Sequence, residues 1–237
     1  LMGTLYIIAT PIGNMEDITY RALRMLQEVE LLLCEDTRIT RRIYSHYQIP
    51  LPPRLWACFE AREPKIISSV LDELKKETKV GLCSDGGMPC ISDPGFKLVQ
   101  SVIEAEHRVE VIPGVTAVET ALVMSGLPTS SYTFKGFPPR KGGPCQRFLE
   151  QEKELPHTLI FYESPYRVSK FLQSAYDVLG DRRCAVCIEM TKKFERVHRG
   201  YISEVLEKLA NNPIKGEVSI IIAGNNPKFL KGKGLEI

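Results

Sequence analysis

The feature that most constrains the fold is a series of short apolar runs separated by segments of helical periodicity. In the first half, five such runs predict β-strands: "TLYIIA" (4–9), "ELLLC" (30–34), "LWACF" (55–59), "KVGLCS" (79–84) and "RVEVI" (108–112). Strands that are apolar throughout and alternate with helices are typical of a parallel sheet covered on both faces. We therefore predict a mainly parallel α/β domain, with its first helix starting near Asp17.

The order of elements changes after a cluster of turn residues, "SGLPTSSYT", at 125–133. A strand at 157–163 and a helix follow, and then "CAVCIEM" and "ERVHRGYI" stand close together, which predicts adjacent antiparallel strands. A further helix precedes a last strand, "EVSIIIAG". The chain is thus predicted to fold as two α/β domains, 1–128 and 129–237, the second with a mixed sheet.

Composition limits the classes of protein to which this chain can belong. Its 237 residues are 43% apolar and 25% charged, as in globular proteins, and the net charge of +2 excludes a polycationic coat but allows a local basic patch. No apolar run reaches the ~20 residues that span a bilayer, and the N-terminus reads as a strand rather than a secretion signal. The seven cysteines lack disulfide or zinc spacing, which predicts buried thiols and a cytoplasmic location.

Glycine- and proline-rich loops follow several of the predicted strands. Ligands of open α/β sheets bind outside the carboxyl ends of strands, where glycine allows close approach and proline keeps a loop rigid. Each loop alone is typical of a tight turn, but five of them favour a binding site. They are "TPIGN" (10–14), "CEDTR" (34–38), "SDGGMPCISDPG" (84–95), "PGVTA" (113–117) and "YESPYR" (162–167).

Several common sites are absent from the sequence. It contains no P-loop, no G-x-G-x-x-G dinucleotide fingerprint and no G-x-S-x-G nucleophile elbow. Its four histidines show no metal-binding spacing, so we expect no metal. These observations disfavour a P-loop nucleotide site, a hydrolase and a metalloenzyme.

An ordered set of motifs nevertheless resembles a known family. These are "LYIIATPIGNMEDITYRAL", "CEDTR", "SDGGMPCISDPG", "VIPGVTA", "FKGFPPRK", "FYESPYRV" and "KGEVSIIIAG", which run from about Gly3 to Gly224. Together they resemble the tetrapyrrole-methylase superfamily, and within it the RsmI-type small-subunit ribosomal RNA 2′-O-methyltransferases. The sequence departs from the usual family pattern at Gly86, Met88, Val115 and Thr116, and it shows no counterpart of the family's helical C-terminal extension.

The resemblance implies a fold, a cofactor and a substrate. It implies two α/β domains of the class III methyltransferase type, with S-adenosylmethionine in the cleft between them, and a homodimer. It also implies methyl transfer to the ribose 2′-oxygen of a cytidine in small-subunit ribosomal RNA, so that the partner is this RNA or the 30S particle. A tetrapyrrole-type methylase and an inactive cofactor-binding ribosomal module are the alternatives.

Residues of the glycine-rich loops are candidates for binding the cofactor. Asp85 can pair with a positive or donor group of the cofactor, and Gly86 and Gly87 expose backbone N–H and C=O groups. Met88 and Ile91 offer apolar contact, and Thr116 and Ala117 supply a hydroxyl and a small wall. The other candidates are Pro11 in "TPIGN" and Tyr162 and Glu163 at the end of a predicted strand. Three alternatives remain: Ser92 and Asp93 cap a helix that opens at Pro94, Thr116 caps the next helix, and Glu163 only pairs with Arg167.

Two charged segments are candidates for acting on the RNA, one in catalysis and one in binding phosphate. A ribose hydroxyl is a poor nucleophile, so Glu35 and Asp36 are candidate bases and Arg38 a candidate partner, unless Asp36 and Arg38 form only a loop-bracing ion pair. Phosphate contacts are expected from Arg140, Lys141 and Arg147 on a mobile loop between the two halves. The charged run "TKKFERVHR" is expected to be a solvated surface.

Overall fold

A computed structural model describes residues 2–58 and 63–232, and it divides into two compact units, Leu1–Thr116 and Ala117–Ile237. Each unit contains one five-stranded sheet. The predicted fold class is confirmed, because the first sheet is parallel and the second is mixed.

Among its described residues, the first unit contains five strands and four α-helices, which alternate along the chain. The strand order is β3-β2-β4-β1-β5, with every neighbouring pair parallel. Phe59, the last residue of the predicted third strand, lies outside the described residues. The elements are β1 Thr4–Ile8, α1 Tyr20–Glu28, β2 Leu31–Cys34, α2 Thr37–His46, β3 Arg54–Ala57, α3 Glu63–Lys75, β4 Val80–Leu82, α4 Phe96–Glu104 and β5 Arg108–Ile112.

The apolar strands are explained by burial on both faces of this sheet. In β2, Leu31 and Leu33 pack into one core cluster, whereas Leu32 and Cys34 pack into the other. Successive side chains of a strand point to opposite faces, so a strand covered on both sides needs apolar residues at every position.

The first helix begins later than the sequence predicts. Met15–Asp17 form a separate 3₁₀ turn, and α1 begins at Tyr20 with Thr19 as its N-cap. The Thr19 side chain accepts a hydrogen bond from the Ala22 N–H, which satisfies one of the free donors at the helix start.

The second unit contains five strands and four α-helices among its described residues. Its strand order is β6-β7-β10-β8-β9, and only the β6–β7 pair is parallel. The predicted antiparallel pairing of the "CAVCIEM" and "ERVHRGYI" segments is confirmed by β8 and β9. The elements are α5 Ala117–Ser125, β6 Tyr132–Phe134, α6 Gly142–Glu150, β7 Thr158–Glu163, α7 Val168–Leu179, β8 Arg183–Ile188, β9 Arg196–Tyr201, α8 Ile202–Ala210 and β10 Val218–Ile222.

The observed division of the chain falls before α5, whereas the sequence predicts a boundary between residues 128 and 129. Helix α5 packs against β8 and β10, and it buries Val118, Ala121 and Leu122. Packing therefore places this helix in the second unit, although the cluster of turn residues follows it in the sequence.

Burial of the cysteines agrees with their predicted role as core residues. All seven lie in the described part of the chain and are free thiols, and only Cys90 is more than slightly exposed. Over residues 2–58 and 63–232, no helix combines the length and apolar character that crossing a membrane requires.

Candidate functional site

Four of the predicted loops lie at one edge of the first sheet. Because β1, β2, β4 and β5 are parallel, the segments that follow their carboxyl ends leave the sheet on the same side. We call this region the loop edge, defined as residues 10–14, 35–38, 84–95 and 113–116.

The first and third loops are joined through their backbones. The N–H of Thr10 donates to the Gly87 carbonyl at 3.0 Å, and the N–H of Gly87 donates to the Thr10 carbonyl at 2.9 Å. The hydroxyl of Ser84 also donates to the Gly87 carbonyl, while the Thr10 hydroxyl donates to the Ser84 carbonyl. Thr10 and Ser84 are both buried, so these bonds fix the backbone around Gly87 where water cannot compete.

Asp85 connects the second loop to the third. One of its carboxylate oxygens accepts a hydrogen bond from the backbone N–H of Asp36 at 3.0 Å. The structure therefore brings together the candidate cofactor residue Asp85 and the segment that carries the candidate catalytic residues.

Gly86 and Gly87 lie where the backbones of neighbouring loops come close. A Cβ atom at Gly86 would lie 3.4 Å from the Pro11 carbonyl oxygen, and Pro11 itself is buried. Gly87 has a φ of +84°, and a Cβ there would lie 3.1 Å from Ile12 and 3.5 Å from the Val115 carbonyl oxygen. Three loops of the loop edge thus meet around these two glycines. Gly86 is exposed, but Gly87 is buried with its N–H and C=O bonded to Thr10, so the predicted exposure of the Gly87 backbone is wrong.

The rest of the third loop holds backbone conformations that are uncommon outside glycine. Cys90 and Ser92 have φ values of +70° and +60°. Such conformations each cost about 1–3 kcal/mol and cluster at ligand-binding sites. Of the predicted apolar contacts, Met88 packs partly against the core, whereas Ile91 is 43% exposed.

The predicted cap of the next helix is wrong. Helix α4 begins at Phe96 with Gly95 as its N-cap, so neither Ser92 nor Asp93 occupies the capping position, and the helix does not open at Pro94. Gly95 has a φ of +126°, and a Cβ there would lie only 2.6 Å from the Cys90 Sγ atom. Both the conformation and the space require glycine.

The three catalytic candidates differ in their environments. Asp36 is the N-cap of α2 and pairs with Arg38, which makes three side-chain hydrogen bonds to its carboxylate, so the proposed loop-bracing pair is present. Hydrogen bonds from Arg38 lower the pKa of Asp36 to about 2. Burial, together with the nearby Asp85 and Asp36 carboxylates, instead raises the pKa of Glu35.

Thr116 and Ala117 lie at the point where the two units divide. Thr116 is the last residue of the first unit, and Ala117 is the first residue of α5 in the second. Both are partly exposed.

In the second unit, Tyr162 and Glu163 end strand β7. The ring of Tyr162 contacts those of Phe134 and Phe137, with centroids 4.8 and 5.7 Å away. The Glu163 side chain is fully buried, and its Oε1 atom accepts from the Ser164 N–H at 2.7 Å and lies 3.3 Å from Arg167 Nη1. The alternative of a Glu163–Arg167 pair is therefore present.

Glu163 is also only partly satisfied. Its Oε2 atom is buried and has no hydrogen-bond partner among the described residues. Burial raises the pKa of Glu163, against the opposing effects of the Ser164 N–H and the Arg167 and Arg140 charges.

The segment that carries Arg140 and Lys141 is anchored to the end of β7. Arg167 donates to the carbonyls of Pro138 and Pro139 at 3.5 and 3.2 Å, and the Tyr162 N–H donates to the Gly136 carbonyl at 3.0 Å. The predicted location of this loop between the two halves is therefore wrong, because the segment lies inside the second unit, where Tyr162 and Arg167 bond to its first residues. Its predicted mobility stays a prediction.

Arg147 lies on a helix rather than on that loop. Helix α6 begins at Gly142, directly after Lys141, and its residues Cys145 and Leu149 face the core. Pro144 is tolerated because the first turn of a helix needs no backbone N–H donors. Arg140, Lys141 and Arg147 are all exposed.

The other basic segment of the second unit is partly neutralised. Lys192 pairs with Glu189 and Glu217, each at 2.9 Å. Our reading of "TKKFERVHR" as a solvated surface stays a prediction that these pairs support.

Sequence reasoning did not identify three features of these regions. They are the hydrogen bonds made by the buried hydroxyls of Thr10 and Ser84 and the bond from Arg167 to the Pro138 carbonyl. The Thr10 and Arg167 bonds join residues far apart in sequence. A polar residue directly after an apolar strand is the signal that marks Thr10 and Ser84, but no local signal marks Arg167.

Solved structures show the same fold as this chain. Cobalt precorrin-4 methyltransferase, a cobalamin biosynthetic enzyme, aligns with a TM-score of 0.69 and 18% identity over 93% of this chain and 94% of its own. Uroporphyrin-III C-methyltransferase from Thermus thermophilus, in complex with S-adenosyl homocysteine, aligns with a TM-score of 0.65 and 20% identity over 93% of this chain and 97% of its own.

Sequence relatives are closer. The protein named ribosomal RNA small subunit methyltransferase I from Halalkalibacterium halodurans is 42% identical over 95% of this chain and 78% of the relative. The proteins of that name from Thermotoga maritima and Bacillus subtilis are 40% and 38% identical over 94% and 95% of this chain, and over 99% and 76% of the relatives.

The family itself is established by a match along most of the sequence. The profile of the tetrapyrrole (corrin/porphyrin) methylases matches residues 4–206, which include all four loops of the loop edge and the Glu163–Arg167 pair. The agreement of fold, relatives and profile shows that this chain belongs to the tetrapyrrole methylase family.

Proposed function

We propose that this protein is an S-adenosylmethionine-dependent methyltransferase that acts on small-subunit ribosomal RNA. The observation that carries the proposal is an identity of 38–42% over 94–95% of the chain to proteins named ribosomal RNA small subunit methyltransferase I. The solved tetrapyrrole methyltransferases share only 18–20% identity, so they support the fold and not a tetrapyrrole substrate.

The loop edge fits the methyl donor. A donor with an ammonium, a carboxylate and ribose hydroxyls needs a carboxylate and accessible backbone groups, which Asp85 and the exposed Gly86 provide. The buried Gly87, bonded to Thr10 through both its backbone groups, would hold this loop in place. Pro11, Met88, Ile91 and Thr116 would line the same loops, and Ala117, Tyr162 and Glu163 remain candidates from the second unit. When bound, this cofactor supplies an electrophilic methyl group.

Within this activity, we propose the ribose 2′-oxygen of a cytidine as the acceptor and Glu35 as the base. A general base works best when its pKa lies near the operating pH. The pKa of Glu35 is raised, while that of Asp36 is held at about 2 by Arg38. Asp36 and Arg38 therefore position the start of α2, and Glu35 accepts the proton of the attacking hydroxyl.

The assembly and location of the enzyme complete the proposal. We propose a homodimer in the cytoplasm, which the family resemblance and the proposed ribosomal RNA substrate support. Sedimentation of the purified chain at several concentrations tests the dimer, and a monomer at all of them contradicts it.

Transfer of labelled methyl groups tests the activity. The purified chain is incubated with labelled S-adenosylmethionine and either 30S particles or naked small-subunit RNA from cells that lack the activity, with uroporphyrinogen III as the alternative substrate. We expect label in RNA, and nuclease digestion followed by mass spectrometry to place it on the 2′-oxygen of a cytidine. Label in uroporphyrinogen alone would contradict the RNA substrate, and label on a base would contradict the ribose acceptor.

A further inference from the structure

Two chain segments leave the second sheet at the same edge and touch. Strands β6 and β7 are parallel neighbours, so the segments that follow Phe134 and Glu163 emerge side by side. Arg167 joins them, because it donates to the Pro138 and Pro139 carbonyls while it pairs with Glu163. The side chains on these segments therefore share one surface.

Each segment presents an aromatic ring to solvent beside the Arg167 bonds. Tyr166, the residue before Arg167, is 93% exposed, and Phe137, the residue before Pro138, is 59% exposed. Isolated exposed aromatics are common and carry little information. Here the two rings flank a single fixed junction, and Phe137 rests against Tyr162 with its centroid 5.7 Å away, which limits its motion.

Two cations, Arg140 and Lys141, follow Phe137 three and four residues later on the first of these segments. Arg140 and Lys141 are exposed, and within residues 2–58 and 63–232 neither has a carboxylate at ion-pair distance. Glu163, the acid near Arg140, is buried and paired with Arg167. We call Phe137, Arg140, Lys141 and Tyr166 the stacking surface.

A third exposed aromatic of the second unit differs from these two. Phe194 is 70% exposed, but the ammonium group of Lys193 lies over its ring at 5.6 Å. Its face is already in contact with a cation, so we leave it out of the stacking surface.

We propose that the stacking surface binds unpaired nucleotides of the RNA substrate, with bases stacked on Phe137 and Tyr166 and phosphates held by Arg140 and Lys141. Exposed aromatic rings interleaved with cations are the arrangement by which proteins hold single-stranded nucleic acid, since a base in a duplex has no free face. The inference rests on the proposed function, because it names the form of RNA that the enzyme accepts.

Binding to three RNA probes tests this inference. The probes are a labelled unstructured RNA of about 12 nucleotides, the same strand in a duplex, and the same strand with several bases removed to leave abasic ribose. Fluorescence anisotropy measures the affinity of the full chain for each probe. We expect the unpaired strand to bind most tightly, and the abasic strand to bind more weakly because it keeps the phosphates but offers no bases to stack.

Substitutions separate stacking from charge. Phe137→Ala and Tyr166→Ala should each weaken binding of the unpaired strand by about 5- to 100-fold and reduce the difference from the abasic strand, whereas Tyr166→Trp should keep both the affinity and the difference. Arg140→Glu with Lys141→Glu should weaken binding of all probes and reduce the salt dependence of the affinity. Tyr176→Ala, at a 39% exposed tyrosine further along α7, is the matched control and should bind like the native chain.

Two outcomes would overturn the inference. One is equal affinity of the native chain for the unpaired and abasic strands, and the other is native affinity in the Phe137→Ala and Tyr166→Ala variants with unchanged thermal unfolding. If these occur while labelled methyl groups still enter ribosomal RNA, only the stacking surface is contradicted. If no RNA is methylated but the unpaired strand binds as expected, the proposed function fails and the surface stands.

Discussion

The first and second units each place an arginine beside a carboxylate near the carboxyl end of a strand, but in opposite surroundings. In the Asp36–Arg38 pair, the side chains are 25% and 84% exposed; in the Glu163–Arg167 pair, they are 0% and 27% exposed. The exposed carboxylate has its pKa lowered to about 2, whereas the buried one has its pKa raised. Residue type alone therefore does not decide what such a pair does.

The loop edge of the first unit and the edge of the second sheet near Arg167 are also held together by different groups. The loop edge is joined mainly by backbone groups, as in the reciprocal Thr10–Gly87 bonds, and it needs glycines where the loops meet. At the corresponding edge of the second sheet, the Arg167 side chain adds bonds to the Pro138 and Pro139 carbonyls beside the backbone bond between Tyr162 and Gly136. We expect the loop edge to be sensitive to added Cβ atoms and the second edge to be sensitive to lost charge.

The largest effect is expected from breaking the buried pair. Arg167→Met should lower the free energy of unfolding by about 3–4 kcal/mol, because it leaves the Glu163 carboxylate buried without a cation and the Pro138 and Pro139 carbonyls without a donor. Arg38→Met is the matched control, and its unfolding midpoint should stay close to that of the native chain since the pair is exposed. Denaturant titrations measure the unfolding midpoint of both variants. Equal midpoints would contradict the expected difference between the buried and the exposed pair.

The next largest effect is expected from removing the proposed base, Glu35. Glu35→Gln should lower kcat by about 100-fold, near 2.7 kcal/mol of activation free energy, because no group would accept the proton of the attacking hydroxyl. Asp36→Asn keeps the capping oxygen and should lower kcat much less. A pH–rate profile of the native chain should show activity rising with pH as Glu35 loses its proton, and an unchanged profile in Glu35→Gln would assign the base elsewhere.

Alanine substitution should destabilise the chain more at Gly95, in the loop edge, than at Gly126, which lies outside it. Gly95→Ala should cost about 2 kcal/mol, since its φ of +126° is unfavourable for alanine and the new Cβ would meet Cys90 and Leu82. Gly126→Ala also has a positive φ but nothing within 4 Å, so it should cost about 1 kcal/mol. Thermal unfolding of both variants compares the two, and a larger loss at Gly126 would refute the steric argument.

The smallest effect is a change in how stability depends on pH. A carboxyl whose folded pKa is raised favours the folded state below its unfolded pKa of about 4.3, and this contribution is lost as pH rises through the folded pKa. Glu163→Gln removes that titration, so its stability should fall less than that of the native chain over this rise in pH. Urea titrations at several pH values measure the slopes, and parallel slopes would show that Glu163 is not perturbed by burial.

Much of the fold could be predicted because the apolar pattern is local. The five apolar runs of the first half became five parallel strands, and "SDGGMPCISDPG" followed one of them, so Asp85, Gly86 and Gly87 had to lie at the carboxyl edge. The start of α4 could not be predicted, because Gly95 takes its conformation from close contact with Cys90 and Leu82.

The second unit shows where local reasoning fails. Turn residues at 125–133 indicate a boundary, but α5 packs against β8 and β10, which are distant in sequence. Glycine and proline at 138–144 indicate a loop, but α6 begins at Gly142 because Cys145 and Leu149 find a core to pack against. In both cases a long-range burial of apolar side chains overrides the local signal.

The sequence by itself determined the two α/β sheets, the edge that carries the glycine-rich loops and the family to which the chain belongs, because hydrophobic periodicity and ordered motifs are properties of neighbouring residues. Only the tertiary structure decided that Asp85 accepts a bond from the Asp36 N–H, that Glu163 is buried, and that Arg167 holds the segment before Arg140. These depend on which side chains meet across the fold and on how much water is excluded from them, and chain-local patterns do not encode either.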